Sequence, residues 1–142
     1  MVQAHTRPSA SWPVQIGVAA QRSGVSAKMV RHYEALGLLA PVGRSEGGYR
    51  LYSAADVHTL RFIKRARDLG FSMADIAELV GLWLGGKRTS AQVKQIAQRH
   101  MAMLHQRIEQ LQAMERSLRH LTDGCHGDAR PECPILDDLA RI

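Results

Sequence analysis

A chain of 142 residues, 45% of them apolar and 23% charged, has room for one compact domain or a small domain with an appended helix, and excludes two large cores. No apolar stretch approaches the ~20 residues that span a bilayer, and Arg7 is followed by no continuous apolar segment of the kind a secretory signal needs, so a cytoplasmic protein with no membrane partner is expected. The net charge of +6 resides wholly in residues 1–70, with ten Lys or Arg against four acids, while residues 71–142 hold nine of each; that excess suits a polyanion and equally an inert basic surface.

Residues 1–13 read as a disordered lead-in. Val14 to Gln21 is a short apolar segment that ends near Gly24, and Ser26 then caps a second segment from Ala27 to Leu36. Two short helices around a Gly turn are expected. In the second, Met29, Val30, Tyr33 and Leu36 have the spacing of a packed face, leaving Lys28, Arg31 and His32 to project. A helix-turn-helix has this layout, with its second helix in the major groove, and so does an αα-hairpin of an ordinary core.

Arg44-Ser-Glu-Gly-Gly-Tyr-Arg-Leu-Tyr52 changes period, with alternating residues after Gly47-Gly48, which is a hairpin signal. A basic hairpin beside a basic helix is the arrangement of a winged helix, whose wing holds the phosphate backbone through residues such as Arg44, Tyr49 and Arg50.

Ser53-Ala-Ala-Asp56 opens a helix to about Leu69, stopped by Gly70, with Val57, Leu60, Ile63 and Leu69 toward a core and Arg61, Lys64, Arg65 and Arg67 supplying charge. Ser72-Met-Ala-Asp75 repeats the capping pattern ahead of Ile76, Leu79, Val80 and Trp83. After Gly85-Gly86, Thr89-Ser90-Ala91-Gln92 is a capping box for a helix running to about Leu121. Along it Ala97, Met101, Leu104, Ile108, Leu111, Met114, Leu118 and Leu121 step by three or four residues, the spacing of a coiled-coil seam. So long a helix on so small a domain is covered either by the same helix of a second copy, giving a homodimer, or by folding back on its own domain.

Cys125 and Cys133 fall in a Gly- and Pro-containing loop beyond that helix. Eight positions apart and without a second pair, they do not suit a structural zinc knuckle. Two thiolates suit a soft, filled-shell ion that accepts two sulfurs; bystander thiols or a reversible Cys125–Cys133 disulfide are the other readings. An iron–sulfur cluster needs four cysteines. No nucleophile, base and orienting group stand in a recognisable arrangement, so an enzyme is not expected.

Taken together, Val30-Arg-His-Tyr-Glu34 with Gly37-Leu38, the wing Arg44 to Arg50, the junction Leu69-Gly-Phe-Ser72, and Cys125 with Cys133-Pro-Ile135 resemble the MerR family of bacterial transcription regulators, and within it the copper-efflux regulator (CueR) type. The resemblance runs from about Gln15 to Ile135. It implies a mostly α fold with a winged helix-turn-helix DNA-binding domain and its following helices (14–84), a dimerisation helix forming a coiled coil (89–121), and a metal-binding loop with the C-terminal tail (122–142). Carried over residue by residue, Lys28, Arg31, Tyr33, Arg44, Tyr49 and Arg50 are the expected DNA contacts, with Arg67 a weaker phosphate candidate. Two departures stand out: His32 occupies a position where relatives often carry Phe, and the thirteen-residue lead-in is long.

The same resemblance makes Cys125 and Cys133 the ligands of Cu(I), with Ag(I) and Au(I) as alternatives; the adjacent His126 is available as a third ligand, but that would weaken the preference for linear coordination, so it is read as lying outside the ligand pair. Relatives that sense divalent ions carry Cys where this chain has Ser90, so Ser90 is the expected selectivity residue, and it can cap the helix as well. The implied function is a homodimer on a palindromic operator in double-stranded promoter DNA, acting with RNA polymerase. On binding Cu(I) it bends and untwists the promoter and activates copper export or detoxification genes. A redox-sensing or architectural DNA-binding protein is the alternative.

Overall fold

The computed structural model describes residues 11–40, 43–86, 90–127 and 132–141. The first ten residues of the lead-in, the Thr89 cap and residues 128–131 of the cysteine loop lie outside the described residues. The chain divides into two compact units, Met1–Val93 and Lys94–Ile142.

In the first unit the apolar run after Pro13 splits in two. Val14–Gln15 is a strand, β1, and Ile16–Ser23 is the first helix, α1, where a single helical segment was expected. The reason is a distant partner: β1 pairs antiparallel with β2, Leu51–Tyr52, in the register Val14↔Tyr52 and Gln15↔Leu51. Gly24, at φ 75°, ends α1 in the left-handed region that glycine enters without a Cβ penalty, and its N–H donates to Ala20 O at 2.9 Å. Helix α2 (Ala27–Ala35) follows, its Ser26 hydroxyl accepting from the Met29 N–H at 3.3 Å.

The expected hairpin is present. Arg44 and Arg50 form a bridge, Ser45 N–H donates to Tyr49 O at 2.8 Å and Gly48 N–H to Ser45 O at 2.9 Å. Its second arm continues into β2, so the wing is tied by β1 to the start of α1.

Helix α3 (Ala54–Asp68) begins with a complete capping box: Ser53 Oγ accepts from Asp56 N–H at 3.1 Å and Asp56 accepts from Ser53 N–H at 2.8 Å. Helix α4 (Met73–Leu84) is capped by Ser72. Their inward faces, Val57, Leu60, Ile63 and Ala66 from α3 and Ile76 and Val80 from α4, join Ala19, Val30, Tyr33 and Tyr52 in one core. Leu60, Ile63, Ile76, Val30 and Tyr52 are fully buried, and each such apolar side chain contributes about 1.5–3 kcal/mol. Leu36 and Leu69, expected in the packed faces, are about half exposed; Ala66, within the last turn of α3, takes the inward place. Phe62 stacks on Trp83 at 4.8 Å between ring centroids, linking α3 to α4 outside that core.

The long helix α5 spans Ser90–Asp123, about 50 Å at 1.5 Å per residue. In the second unit, which holds most of it, the side chains of Met101, Leu104, Ile108, Leu111, Met114 and Leu118 are exposed along the expected seam. A short helix α6, Pro134–Leu139, closes the described chain.

Candidate nucleic-acid interface and thiol loop

The basic side chains of the first unit converge from two elements. Arg31 projects from α2, while Tyr49, 63% exposed, and Arg50 project from the wing. These three line one cleft of about 190 Å³ with Gln15, Ile16, Gly48 and Tyr52. Lys28 is exposed nearer the start of α2 and is not part of that lining. Arg44 turns into its own hairpin, donating from Nη1 to Gly48 O at 3.1 Å, so it braces the wing turn that presents Tyr49.

Tyr33 differs from its neighbours: it is a core residue, 4% exposed. It reaches a second cleft, of about 200 Å³, which it lines with Gly24, Val25, Ser26, Met29, Lys64, Arg67 and Asp68. Arg67 is therefore grouped with Tyr33 and the helix-turn-helix corner, away from Arg31 and Arg50. Lys64 in this cleft is 3.4 Å from Asp68, an exposed pair one helical turn apart.

Three anchoring residues were not singled out from the sequence. Glu34, on α2, accepts from the Tyr52 hydroxyl at 2.8 Å through Oε2 and forms an ion pair with Arg50 through Oε1. Arg61 spends its charge on the fold, donating to the carbonyl of Arg22. Arg22 lies with its guanidinium 4.9 Å from the centre of the Trp12 ring, a cation–π contact. A lone acid between two basic elements was the available signal for Glu34; nothing local marks Arg61 apart from Lys64 and Arg65. Burial raises the Tyr52 pKa above its usual 10.0, outweighing the opposing pull of the Arg50 and Arg31 cations.

In the second unit Cys125 lies near the end of one described segment, 90–127, and Cys133 near the start of the next, 132–141. Cys125 follows the end of α5, its N–H donating to Thr122 O at 3.0 Å, and Cys133 is the N-cap of α6, its carbonyl accepting from Asp137 N–H at 3.0 Å. Gly124 and Pro134 lie near each other: a Cβ built on Gly124 would sit 3.7 Å from Pro134 Cγ. Gly127, at φ 64°, supplies a left-handed turn between them. Both thiols are free and half-buried, and His126 is exposed. The chemistry of this donor set, two free thiols, fits a soft ion of low coordination number. Among the described residues no group of three or more His, Cys, Asp or Glu is placed to hold a metal ion. Ser90 opens α5 and belongs to the first unit, whereas both cysteines belong to the second.

Two family models match the sequence in overlapping succession, one described as MerR HTH family regulatory protein over residues 14–81 and one as MerR, DNA binding, over residues 57–121. Heavy metal-dependent transcription regulator 2 of Rhizobium meliloti (strain 1021) is 51% identical over 127 residues, covering 89% of this chain and 86% of that protein. The chain belongs to the MerR family.

The MerR-family assignment makes it a DNA-binding regulatory protein and not an enzyme, as its relatives are. The transcriptional regulator CueR of Escherichia coli O6:H1 is 37% identical over 127 residues, 89% of this chain and 94% of that protein. Among solved structures, the regulator PbrR691 from Ralstonia metallidurans CH34, in complex with lead(II), superposes with a TM-score of 0.78 at 31% identity, covering 89% of this chain and 99% of that one. The winged helix-turn-helix organisation and the mostly helical MerR fold are thus both established. No helix among the described residues is long and apolar enough to cross a membrane.

Proposed function

We propose that this MerR-family protein is a metal-responsive activator that binds promoter DNA as a homodimer and responds to Cu(I), with Ag(I) and Au(I) able to substitute, through Cys125 and Cys133. The observation that carries this reading is the pair of free, half-buried thiols, Cys125 just beyond the end of α5 and Cys133 at the start of α6, with Gly124 and Pro134 beside them lying near each other. A two-sulfur donor set favours soft, monovalent, filled-shell ions over Zn(II), which takes four ligands. The similarity to heavy metal-dependent regulators and to CueR supports metal response in general.

In this reading Lys28, Arg31, Tyr33, Arg44, Tyr49, Arg50 and Arg67 form the DNA surface, with Arg31, Tyr49 and Arg50 at its centre. Tyr33, being buried, contributes only the edge it presents beside Arg67. The exposed seam of α5 pairs with that of a second copy, giving the two-fold symmetry that a palindromic operator requires. Linking Cys125 to Cys133 tightens the loop at the end of α5. The changed packing against the partner helix then alters the angle between the DNA-binding units, and the promoter is bent and untwisted into a form RNA polymerase can use. Ser90 occupies the sequence position at which relatives that sense divalent ions carry Cys, so this chain supplies no thiol there. The regulated genes on this reading serve copper export or detoxification, in the cytoplasm.

A promoter reporter dosed with Cu, Ag, Au, Zn, Hg and Pb salts, in the parent and in Cys125→Ser and Cys133→Ser, tests the reading. Induction by the monovalent ions, lost in both variants, is expected. Equal induction by Zn or Pb, or a full response in either variant, overturns the assignment. Loss of activity on mild oxidation, reversed by thiol reductant and indifferent to metal, would instead favour a disulfide sensor.

A further inference from the structure

We propose that Glu34 is a positioning residue for DNA binding: anchored by the Tyr52 hydroxyl, its carboxylate holds the Arg50 guanidinium of the wing in the orientation that meets a backbone phosphate. The inference rests on the reading of Arg50 as a DNA contact. Three observations carry it. Glu34 sits on α2 among Arg31, His32 and the wing, where a carboxylate facing DNA would by simple charge repel phosphate. Its side chain is only 12% exposed, and each oxygen is engaged, Oε2 by Tyr52 at 2.8 Å and Oε1 by Arg50. Arg50, by contrast, remains 49% exposed and lines the cleft it shares with Arg31 and Tyr49. A guanidinium has five N–H donors in a planar fork, so engaging Nη1 fixes the plane and leaves other donors for a second anion.

Tyr52 makes the anchor rigid. It is fully buried, belongs to β2 and is the register partner of Val14. Recognition helix, wing and the strand leading into α1 therefore meet at one carboxylate. Holding the long, rotamer-rich Arg50 side chain ready lowers the ordering cost of binding.

The test measures operator affinity of the full chain as a function of salt, for the parent, Glu34→Gln, Arg50→Ala, the double variant and Tyr52→Phe. Arg50→Ala is expected to weaken binding about tenfold and to reduce the slope of log K against log salt by about one per protomer, since each phosphate contact contributes about 0.9. Glu34→Gln is expected to do nearly the same, although it removes a negative charge, and to add nothing in the Arg50→Ala background. Tyr52→Phe, which keeps the ring and the carboxylate, is expected to weaken binding about threefold with a smaller slope change in the same direction.

If Arg50→Ala leaves affinity and slope unchanged, Arg50 is no phosphate contact, and both that reading and the positioning role fall. If Arg50→Ala behaves as expected while Glu34→Gln binds as tightly as the parent or tighter, the positioning role alone is overturned. Should Glu34→Gln fail to fold, Tyr52→Phe decides: parental affinity and slope in that variant reject the proposal.

Discussion

Arg61 donates from Nε at 2.9 Å and from Nη2 at 2.8 Å to the same backbone carbonyl, that of Arg22, 39 residues earlier in the chain. The last turn of α1 leaves carbonyls without intrahelical partners, and here a cation from α3 satisfies one of them and answers the negative end of the helix dipole. Arg61→Ala is expected to lower unfolding free energy by about 1.5–2 kcal/mol, the low end for a charge-assisted hydrogen bond because both bonds are solvent-exposed. The salt dependence of operator binding should stay parental. Urea unfolding together with a salt titration checks both, and a reduced salt slope in this variant would make Arg61 a DNA contact instead.

The seam of α5 is the second point of test. Ile108 and Leu111 are 51% and 58% exposed within one chain, and burying both against a second copy stabilises association by several kcal/mol across the two-fold axis, at roughly 25 cal/mol per Å². Leu111→Asp is expected to shift sedimentation from dimer to monomer and to abolish operator binding while the first unit stays folded. A parental sedimentation coefficient in that variant would mean that something else covers the seam.

Ser90→Cys should broaden the metal profile toward divalent ions, because a third thiolate raises the coordination number that Zn(II), Hg(II) and Pb(II) favour. The readout is induction by Zn and Pb relative to Cu in the reporter strain. A profile identical to the parent would leave Ser90 only its place at the start of α5.

Tyr52 gives a pH prediction whose sign is fixed by burial. Its folded-state pKa is raised above the unfolded 10.0, so the phenol is harder to ionise in the native chain. The folded state binds this proton more tightly, and the stability that goes with it is fully present below pH 10 and is lost as pH rises through the folded-state pKa. Tyr52→Phe should therefore show a flatter fall of stability above pH 10 than the parent, measured by denaturant midpoints across alkaline pH. An equally steep fall in both proteins would place the alkaline sensitivity elsewhere.

Glycine at position 24 is required by geometry. Its φ is 75°, and a Cβ there would also lie 3.2 Å from Lys64 Cε. Gly24→Ala is expected to cost about 1–2 kcal/mol, mostly through the left-handed backbone, since the lysine end can move aside. A thermal midpoint within a degree of the parent would show that the α1–α2 corner relaxes.

What the sequence determined alone is what local interactions encode. Ser26, Ser53 with Asp56, and Ser72 begin helices where expected, because a cap bonds only to an N–H two or three residues ahead. The inward faces of α3 and α4 follow from a 3.6-residue period, and the cysteine loop is legible as a Gly- and Pro-bounded segment. The MerR resemblance, carried by short runs of residues, gave the order of elements. Tertiary structure decided the rest. Val14–Gln15 becomes a strand only because Leu51–Tyr52 arrives to pair with it, and period and propensity carry no information about that partner. Tyr33, a DNA contact by the resemblance, packs most of its ring into the core and keeps only an edge in the cleft with Arg67, and Leu69 is left outside while Ala66 goes in. The +6 of the N-terminal half is likewise apportioned by packing: Arg61 serves a carbonyl, Arg44 its own turn, and Arg50 is shared with Glu34. Net charge sums these cations as equals, and only the positions of their partners in space distinguish Arg61, committed to a carbonyl, from Arg50, whose engagement leaves other donors for a phosphate.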